Sequence, residues 1–113
     1  MANSRQKKKY DLGVFYSGET MSEKNFVIKK NGVAINITNA DIQFLFEKDG
    51  KNENGLAMTI ANSRVTVVNG ASGHFRLNEH DVIANKGDYT YKCWITIGDY
   101  KRVYMFGQLQ IEI

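Results

Sequence analysis

YTYKCWITI, Tyr89–Ile97, alternates in polarity from end to end. Tyr89, Tyr91, Cys93, Ile95 and Ile97 take one parity, and Thr90, Lys92 and Thr96 take the other. A period of two sends successive side chains to opposite faces of a pleated strand. The stretch therefore reads as a half-buried β-strand. Ile42, Phe44 and Phe46 alternate in the same way with Gln43 and Glu47, and Leu109, Ile111 and Ile113 with Gln108, Gln110 and Glu112. No segment sustains apolar residues at i, i+3, i+4 and i+7, so helices are expected to be minor or absent. The chain reads as a small all-β domain.

Turn chemistry divides the rest. Asn31-Gly32 lies between Phe26–Lys30 and Val33–Ile37. Asn-Gly between extended runs is a strong hairpin signal, because both turn positions of type I′ need positive φ. Asp49-Gly50 follows the strand Asp41–Lys48, and Gly98-Asp99 separates Tyr89–Ile97 from Lys101–Phe106. A first strand is expected over Tyr10–Tyr16, with short ones at Leu56–Ile60, Arg64–Val68 and His74–Leu77. Gly107 is expected to break the last run before Leu109–Ile113. Asn78–Ala84 is the one stretch that suits a helical turn, with Asn78 as N-cap. These segments make about eight strands with turn signals at roughly 8–12-residue spacing. That is the pattern of a sandwich or small barrel, and the architecture predicted is two packed sheets with Greek-key connections.

Composition agrees with one domain. The chain has 113 residues, a single cysteine and no proline. One cysteine excludes an intrachain disulfide, and Cys93 reads as a small buried hydrophobe. No apolar run approaches the ~18 residues of a membrane span. No apolar core follows the basic start, so a secretory signal is not expected. The net charge of +3 arises at one end: Arg5, Lys7, Lys8 and Lys9 face no acid in the first ten residues. Without those four, eleven basic residues stand against twelve acidic ones. The reading is a basic flexible tail over residues 1–9 and a nearly neutral domain over 10–113. A nucleic-acid partner is not expected from a tail alone, and no membrane partner is expected.

Catalytic motifs are missing. His74 and His80 have no second ligand at metal-binding spacing, so no metal site is predicted. Gly70-Ala71-Ser72-Gly73 lacks the G-x-S-x-G spacing of a nucleophile elbow and reads as a turn. Gly50-Lys51 and Gly87-Asp88 lack the strand–loop–helix setting of a phosphate cradle. The acids sit mostly at turns. An enzyme is not expected, nor is any cofactor.

Aromatic residues offer a binding reading. Trp94, Tyr100, Tyr104 and Phe106 oppose the presumed core parity of their strands. Paired as a hairpin, those strands would carry the four rings as a stripe, a possible interaction face for a protein subunit or a sugar. Packing against covering structure is the alternative reading of the same rings.

Gly87-Asp88-Tyr89 resembles the opening of an immunoglobulin F strand, where the tyrosine bonds back to the backbone. The immunoglobulin cysteine would fall at Tyr91, so an antibody-type domain is not expected. More widely, "ITNADIQFLF" (Ile37–Phe46), "VNGASGHFRL" (Val68–Leu77), "NKGDYTYKCWITI" (Asn85–Ile97) and "GQLQIEI" (Gly107–Ile113) form an ordered set. In this the chain resembles the N-terminal immunoglobulin-like domains of phage baseplate upper proteins and related small phage tail proteins. The resemblance implies an all-β, two-sheet immunoglobulin-like β-sandwich of about 7–8 antiparallel strands, and a non-catalytic phage or prophage structural protein, a tail or baseplate assembly module acting through protein–protein contacts. Its partners would be other phage structural subunits or copies of itself. It would be made in the bacterial host cytoplasm and end in the virion. The alternative is a carbohydrate-binding or adhesion module using the aromatic face.

Overall fold

A computed structural model describes residues 8–112. Fourteen strand segments follow one another: β1 (Lys8–Lys9), β2 (Gly13–Tyr16), β3 (Thr20–Met21), β4 (Lys24–Val27), β5 (Lys29–Lys30), β6 (Val33–Ala34), β7 (Asp41–Lys48), β8 (Lys51–Asn52), β9 (Met58–Thr59), β10 (Val65–Asn69), β11 (His74–Leu77), β12 (His80–Asp81), β13 (Gly87–Ile97) and β14 (Tyr100–Glu112). The main sheet runs β1-β14-β13-β7-β8, with β2 also on β14 and β9 also on β7. A second sheet, β10-β11-β4, lies across the core. These orders match D-E-B and G-F-C of the immunoglobulin sandwich, with the first strand moved beside G.

Two hairpins follow from their turn residues. Asn31 and Gly32 have φ of 53° and 79°, and Asp49 and Gly50 have 53° and 78°. Both positions of each turn are left-handed, as type I′ requires. The period-two residues of β7 and β13 all point inward: Ile42, Phe44, Phe46, Tyr89, Tyr91, Cys93 and Ile95 are buried. Phe26 of β4 and Phe75 of β11 meet them from the other sheet. Phe44 lies 5.5 Å from Tyr91, 6.1 Å from Phe26 and 6.2 Å from Phe75, ring centre to ring centre. Aromatic packing thus fills the place where an antibody domain has its disulfide and tryptophan.

The sequence-based expectations differ from the structure at several points. Asn78–Ala84 forms no helical turn. The Asn78 side-chain amide donates to Ser63 O and Thr66 Oγ1 at the edge of β10, so it ties strands together instead of capping a helix. His80–Asp81 then pairs with β3. Gly107 does not break the last strand, which runs through it opposite Tyr91. Residues 10–12 are not strand but still follow β14, with Tyr10 N donating to Phe106 O and Leu12 N to Gln108 O, each at 2.8 Å. The sandwich is not wholly antiparallel, because β1 and β2 pair parallel to β14. Of the basic tail expected over 1–9, residues 1–7 lie outside the described residues, while Lys8 and Lys9 are strand. Ile113 also lies outside them.

Tyr89 makes the corner that its position suggests. Its hydroxyl donates to Asn85 O at 2.7 Å, fastening the chain that enters β13. Tyr89→Phe removes one hydrogen bond from a buried ring and is expected to cost about 1 kcal/mol. Urea unfolding should show a lower midpoint with an unchanged slope.

Burial also sets an alkaline limit. Desolvation holds the phenols of Tyr91 and Tyr89 and the thiol of Cys93 above their ordinary ranges. The fold thus favours the neutral forms, whereas the unfolded chain ionises once pH passes the ordinary values of 9.0 for a thiol and 10.0 for a phenol. Stability from these groups is full below those ordinary values and is lost progressively as pH rises from them toward the raised values of the fold. Thermal midpoints should be flat through neutral pH and fall above about pH 9. Tyr91→Phe should make that fall shallower.

Candidate functional site

The outward parity of the main sheet builds the site. On β7 it presents Gln43, Leu45 and Glu47, and on β13 Thr90, Lys92 and Trp94. Register aligns these positions in cross-strand rows. Trp94 lies opposite Gln43 and Val103, and Lys92 lies opposite Leu45 and Phe106. β1 adds Lys9 beside Phe106. A groove of about 540 Å³ opens over these rows. Leu45 and Phe106 are 36% and 39% exposed in mid-sheet, where a solvated face would carry polar groups. The Lys101 ammonium sits 5.2 Å above the centre of the Trp94 ring. That is cation–π range, and it covers one ring face.

The four aromatic residues of the expected stripe separate into three environments. Trp94 and Phe106 share the outer face. Tyr104 is the extra residue of a β-bulge, because Cys93 pairs with Met105 while Trp94 pairs with Val103. Its side chain packs half-buried against the core. The bulge also reverses parity, so Tyr100 stands opposite Ile97 and Arg102 opposite Ile95, on the core side of the sheet. Tyr100 lies at the hairpin end with the Arg102 guanidinium 5.7 Å from its ring centre. Leu45, Lys9, Lys92 and Lys101 line the groove with Trp94 and Phe106, and Glu47, Asn52, Thr90 and Gln108 add polar groups to its lining. Leu45 carries a sequence signal, an apolar residue at an outward position between Phe44 and Phe46.

Other reactive groups lie elsewhere and are engaged. His74 Nε2 is 2.9 Å from Asn25 Oδ1, and His80 Nδ1 is 2.8 Å from Asn78 O. Cys93 is a buried free thiol. Among the described residues no three His, Cys, Asp or Glu side chains gather into a metal cluster. No protein-family model and no curated protein matches this chain.

Proposed function

We propose that this chain is a phage or prophage structural module that joins tail or baseplate subunits through protein contacts, without catalysis. The observation that carries the reading is the open apolar groove of Trp94, Phe106 and Leu45 at the centre of a sheet face. Aromatic groups in a groove rimmed by lysine stems suit the desolvated centre of a protein interface. The virion setting rests on the pattern at Gly32–Phe46, Gly73–Leu77, Gly87–Ile97 and Gly107–Ile113. Sugar stacking would need an open indole face, and Lys101 occupies one side of Trp94.

Peptide mass spectrometry on purified particles tests the proposal. Peptides of this chain should appear at several copies per particle. Their absence while other tail proteins are detected would overturn the virion reading. Glycan titration of Trp94 emission would then test the alternative, since Trp94 is the only tryptophan.

A further inference from the structure

The outer face of the main sheet is divided by charge along the strands. The half nearest the Gly98-Asp99 hairpin carries Lys9, Lys92 and Lys101 against Asp41. The other half carries Glu47, Asp88 and Glu112, and its outward strand positions hold no basic residue among those described. Register fixes this order, because Lys101, Phe106, Gln108, Gln110 and Glu112 follow one another along β14, with Thr96, Lys92, Thr90 and Asp88 facing the first four. Each half has apolar surface. The basic half has Trp94, Phe106 and Leu45, and the acidic half has Val14 and Tyr16, which β2 places beside Gln110 and Glu112. Val14 and Tyr16 are 60% and 58% exposed.

We infer that this face binds a second copy of the chain, as a twofold face-to-face dimer in which the basic half of each copy covers the acidic half of the other. A twofold axis lying in the interface plane, running across the strands between the Lys92–Phe106 row and the Thr90–Gln108 row, turns the two faces toward each other and exchanges the halves. An isologous interface requires a self-complementary surface, and a face of opposite charges about its midpoint provides one. Its size is sufficient. β13 has 11 residues, about 36 Å of strand at about 3.3 Å each, and four strands side by side span about 19 Å. The resulting area of about 700 Å² approaches the ~800 Å² per partner of a standard interface. The inference rests on reading this face as a protein-contact surface, and it is independent of the virion assignment.

Sedimentation velocity on the whole chain tests it, from micromolar to submillimolar concentration at low and high salt. Twice the 12.8 kDa chain mass is expected at low salt, with dissociation as salt rises. Trp94 emission should shift to the blue on association. Two charge-reversed chains decide the geometry, one with Lys92→Glu and Lys101→Glu, the other with Glu47→Lys and Asp88→Lys. All four positions are exposed, so both chains keep the core. Each alone should dimerise about tenfold more weakly or worse, and an equimolar mixture should restore a heterodimer. A monomer at every concentration overturns the inference, as does a dimer indifferent to the reversals or a mixture that stays monomeric. A monomeric chain that is nonetheless recovered from particles would assign the face to a different subunit.

Discussion

Gly107→Ala should destabilise the domain by about 3 kcal/mol or more, beyond the usual cost of an overpacked core. A Cβ at this position would lie 2.0 Å from the Tyr10 carbonyl oxygen and 2.7 Å from its carbon. Backbone cannot swing aside as the end of a long side chain can. The clash also reaches Tyr91, whose ring would be 2.9 Å away and whose hydroxyl donates to that same Tyr10 oxygen. Relief requires residues 10–12 to lift off β14, giving up the bonds from Tyr10 N and Leu12 N and exposing Leu12, now 3% exposed. Urea unfolding should show the loss, and the Tyr10 and Leu12 amides should exchange faster in any folded fraction. Gly55→Ala is the control, since nothing lies within 4 Å of its added carbon. Equal effects at the two positions would reject the close-approach account.

The all-β class was legible because burial follows parity. Once one face of β7 and β13 is apolar, no other register hides it. The hairpin turns were legible because few residues accept positive φ at both positions. Gly107 was misread because a glycine inside a strand has two meanings, a break or a close approach by another backbone. Tyr10 decides between them, and it lies far away in sequence. Asn78 shows the same limit. Its amide suits an N-cap locally, but Ser63 and Thr66 offer partners that only the folded sheet brings near.

The groove was half legible. Trp94 and Phe106 stand on the outward parity, and the structure places them on one face. Tyr100 and Tyr104 do not join them, because one bulged residue inverts every side chain beyond it. The pattern Lys101–Phe106 gives no sign of that insertion, which depends on how β14 bends against β13. The charge division of the face was not legible either. It arises from strand register, with Lys9 brought from one end of the chain to lie beside Phe106 near the other.

Phe44→Ala is expected to cost about 3–5 kcal/mol, the range for a buried aromatic ring cut to a methyl group. Phe44 is 0% exposed and contacts rings from both sheets. It stands at the centre of β7, opposite Cys93 on one side and Met58 on the other. These neighbours belong to paired strands and cannot collapse far into the space left behind, so most of the cavity cost remains. A domain of this size has roughly 5–15 kcal/mol in total, so the variant should be marginal at 37 °C yet measurable in urea at low temperature. Phe44→Leu, which keeps more of the volume, should lose much less. A double-mutant cycle with Phe75→Ala should give a coupling of about 1 kcal/mol, since the pair holds the two sheets together. A coupling near zero would mean that each ring is held by its own sheet, and the aromatic cluster would then not act as the brace that replaces the missing disulfide.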